Sequence, residues 1–384
     1  MSEIRIPLSV PSLRGNESRY LEECVRTNYV SSVGPFVRRF EDEFAGYTGA
    51  PHAVACASGT AALHLALLAA GVAPEDEVLV SDFTFIATVN PIAYVGAVPV
   101  LVDCDDATWN IDPSLVCDEL ERRARSGERM PRAVLAAHVL GLVADLAPVR
   151  ESCDRHGVAL IEDAAEALGA GYRSGPLAGR KVGTIGDSGC YSFNGNKIIT
   201  SGGGGMVTTA NEAAAARARH LSTQARLPGP EYLHDAIGYN YRLTNLAAAV
   251  GVAQLERLDS FLEKKRRIAA RYDEALAGLA GITLPPRPQW AEPSMWLYSI
   301  LIDGEIAGIA RSGVAAFLRD RGIESRPVWA PAHRMPFFSG AKRLGGAVGD
   351  RIFRDGLSLP CSVDLTDDEQ VMVIRALSDA MGHR

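Results

Sequence analysis

The sequence predicts an α/β fold with a mainly parallel central sheet, followed by a smaller C-terminal α+β domain. The chain has 384 residues, a length at which one hydrophobic core usually divides into two units. Between residues 50 and 210, short apolar runs alternate with segments of helical length, and this alternation stops near residue 240. We therefore expect a large α/β domain over residues 1–240, and a long connecting helix with a small α+β domain over residues 241–384.

The large domain is predicted from β-branched runs that are separated by helix-length segments. The run HAVAC is followed by GTAALHLALLAAG, DEVLV by TFIATVNPIAYVG, and VPVLV by a long connection. The stretches AVLAAHV, LAPVRESCDRHG and VALIED continue the alternation. Strands that are almost wholly apolar are typical of a parallel sheet covered on both faces, so functional groups are expected at the strand ends.

The C-terminal domain begins with a long helical pattern. Apolar residues recur at helical spacing from Leu246 to Leu262, and no proline interrupts the chain before Pro285. This pattern predicts one long helix or two abutting helices. Further helices are expected near 308–321 and 366–382, with short strands between them.

Composition excludes several classes of function. A formal net charge of -7 argues against nucleic-acid binding, which requires clustered basic residues. The one dense basic run, EKKRRIAAR, is interpreted as a solvated helix face. No stretch reaches the uninterrupted apolar length of a membrane span, and the N-terminus lacks the features of a leader, so we expect a cytoplasmic protein. The seven cysteines include no C-x-x-C pair, so neither disulfides nor a metal site is predicted.

Four local signals fall at the predicted edges of the parallel strands. The first is Ser58-Gly59-Thr60 between a strand and a helix, where free backbone N–H groups suit a phosphate. The same residues also form an ordinary helix cap. The second is Asp163 at the end of VALIED, whose carboxylate needs a cationic or donor partner unless it simply caps the next helix.

The third signal is Lys197 in YSFNGNKIITSGGGGMV. The glycines around Lys197 allow the backbone to approach a ligand closely. A P-loop is excluded because no glycine directly precedes the lysine and no Ser or Thr follows it. A dinucleotide fingerprint is excluded because GGGG precedes the strand MVTT and not a helix. The fourth signal is Phe85, which follows the strand EVLVS and is either a ring-stacking aromatic or a core residue.

Together these signals suit the binding of pyridoxal phosphate. A lysine can bond covalently to its aldehyde, a carboxylate can hold its pyridinium nitrogen protonated, an aromatic ring can cover it, and N–H groups can bind its phosphate. A hydrogen bond between Asp163 and the pyridinium is worth about 1.5–3 kcal/mol. Its larger effect is to keep the ring electron-withdrawing.

The sequence resembles the sugar aminotransferases of fold type I, the DegT/DnrJ/EryC1/StrS group, over essentially its whole length. The stretches that carry the resemblance are NYVSSVGPFVRRFEDEFAGYTG, ASGTAALHLAL, DFTFIAT, AAHVLG, IEDAAEALG, GDSGCYSFNGNKIITSGGGGM and GYNYRLTNLAAAVG. Within the group, IPLSVPSLRGNE, SSVG and FNGNKIIT are most similar to enzymes that aminate C4 of nucleotide-linked 4-keto-6-deoxy-hexosamines. The implied acceptor is UDP-4-keto-6-deoxy-N-acetylglucosamine and the implied donor is L-glutamate.

The resemblance also implies roles for individual residues. Lys197 matches the lysine bonded to the cofactor, Asp163 the partner of the pyridine nitrogen, and Phe85 the stacking ring. Asn240 matches a residue that reaches the cofactor phosphate of a neighbouring subunit, which implies a homodimer with shared active sites. The implied phosphate contacts are Thr60, Ala61 and Ser192, with Gly59 shaping the turn, and the implied substrate contacts are Asn194, Tyr241, Arg242 and His333.

One position departs from the commonest pattern of the group. Many relatives carry glutamine where Glu166 stands, to contact the 3-hydroxyl of the cofactor. A second carboxylate changes the local charge, and it either favours protonation of the cofactor imine or carries its own proton.

Other functions stay open at the sequence level. Lys197 favours transamination over dehydration, which relatives with histidine at this position perform. Amination at C3, or of a keto sugar without a nucleotide, is an alternative within the group. Outside it, the alternatives are a non-catalytic regulatory protein that binds the cofactor and an unrelated α/β nucleotide-sugar enzyme.

Overall fold

The computed structural model describes residues 4–382, which form a large mixed sheet, a four-stranded sheet and a two-stranded ribbon. The strands are β1 (His52–Cys56), β2 (Glu77–Ser81), β3 (Val98–Val102), β4 (Ala133–Ala137), β5 (Ala159–Asp163), β6 (Gly171–Tyr172), β7 (Ser188–Ser192), β8 (Gly205–Thr209), β9 (Ile282–Thr283), β10 (Ala291–Glu292), β11 (Tyr298–Ile302), β12 (Arg326–Pro327), β13 (Lys342–Leu344) and β14 (Gly356–Leu359).

Helices cover both faces of the large sheet, and further helices belong to the C-terminal part of the chain. They are α1 (Glu17–Arg26), α2 (Pro35–Thr48), α3 (Gly59–Ala69), α4 (Asn90–Tyr94), α5 (Pro113–Ser126), α6 (Ala147–His156), α7 (Glu212–Ser222), α8 (Asn245–Leu255), α9 (Leu258–Leu276), α10 (Gly304–Ala307), α11 (Arg311–Asp320), α12 (Val348–Asp355) and α13 (Asp367–Ala380). The described part of the chain also contains three 3₁₀ turns, at Ile86–Thr88, Val139–Gly141 and Ala332–Arg334.

The large sheet has eight strands in the order β1-β8-β7-β5-β4-β2-β3-β13. The pairs from β7 to β13 are parallel, whereas β8 runs antiparallel to both of its neighbours. Successive strand residues point to opposite faces, so Val54 and Cys56 enter one core while Ala53 and Ala55 enter the other. The sheet is therefore mainly parallel and buried on both faces, which confirms the prediction made from the apolar runs.

The C-terminal region contributes to both sheets. Its own sheet has the order β12-β14-β11-β9, yet β13 pairs with β3 at the edge of the large sheet. The N-terminal segment crosses in the opposite direction, because Ile6 bridges Ile323 and the Cys361 amide donates to Leu8. The division of the chain at residue 240 stays a prediction, since segments from each side pack onto the other.

The helices α8 and α9 correspond to the second option for the long helical pattern, two abutting helices. The prediction of a solvated basic face on α9 is wrong for Lys265, whose side chain is only 2% exposed. Its ammonium donates to the carbonyl oxygens of Trp296 (2.8 Å) and Cys361 (2.6 Å). Two backbone acceptors therefore replace the water that this charge loses on burial.

Most cysteines are buried, as the sequence predicted, but Cys117 is partly exposed. Among residues 4–382, none of the helices combines the length and apolar character that crossing a bilayer takes.

Candidate active site

A cavity of about 250 Å³ opens at the carboxyl ends of β5 and β7, beside the N-terminus of α3. Parallel strands end at this edge of the sheet, so side chains that are distant in sequence converge there. Most residues predicted to bind the cofactor line this cavity. The lining residues include Ser58, Gly59, Thr60, Phe85, Asp163, Glu166, Ser192, Asn194 and Lys197.

The Lys197 side chain is only 12% exposed, so it is not a surface lysine in a flexible turn. Its ammonium nitrogen lies 3.7 Å from Glu166 Oε1 and 3.8 Å from the centre of the Trp296 ring. Burial lowers the pKa of Lys197 below its ordinary value, while the carboxylates of Glu166 and Asp163 oppose this shift. The neutral amine, which can accept a proton, is thereby favoured.

Asp163 is the last residue of β5, as the sequence predicted. The residues that follow it form turns, so the alternative that Asp163 caps a helix is excluded. Its Oδ2 accepts a hydrogen bond from the Thr88 hydroxyl (2.7 Å) and its Oδ1 accepts one from the Ala165 amide (3.0 Å). Burial raises the pKa of Asp163, and the Thr88 hydrogen bond is the largest of the effects that lower it.

Glu166 adds a second buried carboxylate to the cavity. Its Oε2 accepts hydrogen bonds from the Leu140 amide (2.7 Å) and the Trp329 indole (3.3 Å), whereas its Oε1 lies toward Lys197. Burial raises the pKa of Glu166, and the Lys197 charge counteracts this. Because two N–H donors hold Oε2, a proton on Glu166 resides on Oε1, next to Lys197.

The N-terminus of α3 provides backbone donors at the edge of the cavity. The Ser58 hydroxyl accepts a hydrogen bond from the Ala61 amide at 3.0 Å. This cap uses the Ala61 N–H, whereas the N–H groups of Gly59 and Thr60 point out of the N-terminal end of the helix. Of the predicted phosphate contacts, Gly59, Thr60 and Ser192 line the cavity, and Ala61 does not. The helix cap and an anion site thus coexist on the same turn.

Gly59 is required by close packing against β7. A Cβ at this position meets the Ser192 Cβ at 2.7 Å, closer than side-chain atoms normally approach. We expect Gly59→Ala to push α3 away from β7, to reduce the free energy of unfolding by about 1–3 kcal/mol and to weaken cofactor binding. Thermal unfolding and equilibrium binding of pyridoxal phosphate measure both effects.

Gly46 offers a matched control for this substitution. It lies inside α2, and a Cβ there meets nothing within 4 Å. Gly46→Ala should therefore stabilise the protein by about 0.5–1 kcal/mol and leave cofactor binding unchanged. Equal effects of the two substitutions on binding would contradict the steric role of Gly59.

Phe85 is the aromatic residue that lines the cavity, and two tryptophans lie close to it and to Lys197. Phe85 is 46% exposed and therefore not a core residue, and its ring packs edge-on against Trp329 at 5.1 Å. Trp329 in turn stacks near Trp296, which lies over Lys197. Sequence reasoning missed both tryptophans because they come from the C-terminal region, where no spacing relates them to Lys197.

Besides Ala61, four residues that the resemblance assigned to the cofactor or substrate lie outside the cavity lining of this chain. Asn240 accepts a hydrogen bond from Gln224 (3.1 Å), and Tyr241 stacks on Tyr239 at 4.9 Å. The Arg242 guanidinium is bound by the Glu41 carboxylate and the Ala55 carbonyl. Their predicted roles stay predictions.

His333 is the fourth of these residues. Its Nδ1 lies 2.6 Å from Asp82 Oδ2 and its Nε2 3.3 Å from Asp350 Oδ1. Its backbone amide also donates to Asp82, which directly follows β2. The histidine thus fixes the loop after Trp329 to the large sheet, and its contact with substrate stays a prediction.

Comparison with known proteins identifies the family. The model of the DegT/DnrJ/EryC1/StrS aminotransferase family matches residues 11–378. The pyridoxal phosphate-dependent aminotransferase EpsN of Bacillus subtilis is 42% identical over 97% of this chain and 95% of its own length. The GDP-perosamine synthase of Caulobacter vibrioides is 41% identical over 99% of this chain and 100% of its own length.

Solved structures show the same relation. DesV of S. venezuelae, solved in complex with a ketimine intermediate, superposes with a TM-score of 0.86 at 32% identity, covering 97% of this chain and 99% of DesV. These relatives confirm the predicted family, the type I fold and the cofactor. The chain therefore belongs to the DegT/DnrJ/EryC1/StrS family and is a pyridoxal phosphate-dependent sugar aminotransferase.

Proposed function

We propose that this enzyme transfers the amino group of L-glutamate to the C4 keto group of a nucleotide-linked 4-keto-6-deoxy sugar, with Lys197 and Asp163 as its catalytic residues. The observation that carries the proposal is the buried Lys197 amine, set between a carboxylate and an indole ring in a cavity bordered by a helix N-terminus. We further propose that it acts in the cytoplasm.

The residues that line the cavity fit pyridoxal phosphate. The amides of Gly59 and Thr60 and the Ser192 side chain suit the phosphate, because the start of α3 carries partial positive charge. The buried Asp163 carboxylate suits a protonated ring nitrogen, since burial leaves it short of a cationic partner. Phe85 has a partly exposed ring that suits stacking on a planar ligand.

Lys197 is the proposed acid and base of the reaction. The bound cofactor supplies an electron-withdrawing ring that stabilises negative charge on the reacting carbon. The Lys197 amine removes the proton from the α-carbon of glutamate in the first half-reaction and delivers a proton to C4 of the sugar in the second. Removal of the first proton requires a neutral amine, and burial favours that form. The same amine, once protonated, is the acid that delivers a proton.

Two acceptors are the best candidates. The sequence resemblance favours a UDP-linked N-acetylhexosamine, whereas the relative named GDP-perosamine synthase favours a GDP-linked 4-keto-6-deoxy-hexose. Incubation of the holoenzyme with glutamate and both keto sugars, followed by mass spectrometry and NMR of the product, distinguishes them. Amination at C3 in either product would contradict the proposed position, and no product from any keto sugar would contradict the proposed reaction.

We also propose that the active sites are shared within a homodimer. The segment before Asn240 carries apolar side chains in solvent, including Tyr232 and Ile237, which is 85% exposed. A second copy is the proposed partner for this surface because Asn240 lies outside the cavity lining of its own chain. Light scattering should give twice the 41.0 kDa of one chain.

Ile237→Asp tests this interface. Since Ile237 contacts solvent in a single chain, the substitution should leave the fold of the chain intact. We expect it to shift the mass toward one chain and to weaken cofactor binding. A monomeric wild-type enzyme with full activity would contradict shared active sites.

A further inference from the structure

Two buried threonines, Thr84 before the 3₁₀ turn Ile86–Thr88 and Thr88 at its end, form a hydrogen-bond chain to the Asp163 carboxylate. The Thr84 and Thr88 hydroxyl oxygens lie 2.7 Å apart, and the Thr88 hydroxyl lies 2.7 Å from Asp163 Oδ2. Both threonines are almost fully buried. Neither is among the residues that line the cavity, so the pair reaches a ligand only through Asp163.

The direction of this hydrogen-bond chain follows from its acceptor. An ionised carboxylate only accepts, so the Thr88 hydroxyl donates its proton to Asp163. The Thr88 oxygen is then free to accept the hydroxyl proton of Thr84. Each hydrogen bond in such a chain polarises the next, so both hydroxyl groups stabilise the negative charge of the carboxylate.

The other contacts of Asp163 leave the side of its carboxylate that faces the cavity open to a ligand. Its Oδ1 accepts the Ala165 amide, and its backbone carbonyl accepts the His138 amide, so strand β5 and the following turn fix its position. The carboxylate also borders the cavity. The ionisable groups that act on Asp163 electrostatically are Lys197, Glu166, His138 and Cys190.

We propose that Thr88 is a positioning residue that holds Asp163 ionised and oriented toward the ring nitrogen of the bound cofactor, with Thr84 reinforcing it. This inference rests on the proposed role of Asp163 as the partner of that nitrogen. Among the effects that oppose the burial of the Asp163 charge, the Thr88 hydrogen bond is the largest. Valine is nearly the same shape as threonine, so Thr88→Val keeps the packing while it removes the donor to Asp163 and the acceptor of the Thr84 hydroxyl.

Binding of two ligands to the apoenzyme tests the proposal without measuring turnover. The probes are pyridoxal 5′-phosphate and its 1-deaza analogue, in which carbon replaces the ring nitrogen. We expect Thr88→Val to raise the dissociation constant of pyridoxal phosphate about 10-fold and to leave that of the analogue unchanged. Thr88→Ser, which keeps the hydroxyl, should restore tight binding.

The pH dependence of binding provides a second readout. Loss of the Thr88 hydrogen bond removes an effect that lowers the pKa of Asp163, so that pKa rises further in Thr88→Val. The carboxyl group then becomes protonated at a higher pH on acidification. The pH below which pyridoxal phosphate binding weakens should therefore move upward in Thr88→Val and less far in Thr84→Val. The deaza analogue should show no such shift.

The controls separate failure of this inference from failure of the proposed site. If Asp163→Asn weakens binding of pyridoxal phosphate alone but Thr88→Val does not, Thr88 has no such role. If Thr88→Val weakens both ligands equally, or serine gives no rescue, its effect is only structural and the inference is wrong. If Asp163→Asn does not distinguish the two ligands, the role of Asp163 itself is wrong. If Thr88→Val does not fold, the two ligands are compared in Thr84→Val instead.

Discussion

Lys197→Ala is expected to abolish amino transfer, with a loss of about 10⁴-fold or more in kcat. The lysine is proposed to hold the cofactor covalently and to move every proton of the reaction, so no neighbouring group replaces it. Glu166 is the nearest carboxylate, but its Oε2 is held by two N–H donors and it cannot supply an amine. Noncovalent binding of the cofactor should persist, because the helix α3 and Asp163 remain. Single-turnover kinetics with glutamate and absorption spectra of the gel-filtered protein measure the two properties.

Lys181 provides a matched control for this substitution. It is also a partly buried lysine whose pKa is lowered by burial, and its ammonium donates to the Tyr47 carbonyl (2.6 Å). It lies outside the cavity, so Lys181→Ala should leave kcat unchanged. Residual activity near the wild-type value in Lys197→Ala would exclude the proposed mechanism.

Asp163→Asn is expected to lower kcat by about 10²–10³-fold while stabilising the apoenzyme. An amide cannot balance a positive ring nitrogen, so the cofactor loses electron-withdrawing power. The stability effect has the opposite sign because burial raises the pKa of Asp163. Between the ordinary and the raised pKa, the native state binds more protons than the unfolded chain, so wild-type stability falls as pH rises. Asparagine carries no charge, so the stability of Asp163→Asn does not fall in this way as pH rises. Thermal unfolding of the two apoenzymes at acidic and neutral pH should show the difference growing with pH.

Glu162, the preceding residue of β5, shows that this effect belongs to Asp163 and not to every buried carboxylate. Glu162 accepts hydrogen bonds from the amides of Gly183, Ile185 and Gly186, so its charge is well compensated. Glu162→Gln should therefore destabilise the apoenzyme, by about 2 kcal/mol. An apoenzyme that Asp163→Asn destabilises to the same degree would contradict the uncompensated charge proposed for Asp163.

The large sheet could be predicted from sequence because its strands are buried on both faces. An apolar run such as VPVLV marks its own boundaries, and β3 spans the same five residues. Asp163 and Lys197 could be predicted because a polar residue at the end of an apolar strand, or among glycines, is a local signal. Their convergence then followed from the geometry of a parallel sheet.

The residues that sequence reasoning missed depend on contacts between distant segments. Trp296 reaches Lys197, and Trp329 reaches Glu166, only because the C-terminal region packs against the large sheet. The burial of Lys265 did have a local signal, since it lies on the same face of α9 as Phe261 and Ile268, which are also buried. Sequence reasoning treats a charged residue at an apolar position of a helix as solvated, whereas here carbonyl oxygens from two distant segments accept its hydrogen bonds.

The short strand β13 has a consequence for solubility during synthesis. It covers the open edge of β3 with only three residues, and the first two, Lys342 and Arg343, are cationic. A brief, charged outer strand gives other chains little to pair with, which limits aggregation through exposed sheet edges. Until the last part of the chain has left the ribosome, however, β3 lacks this cover. Nascent molecules are thus most prone to associate wrongly in the interval before residues 342–344 arrive.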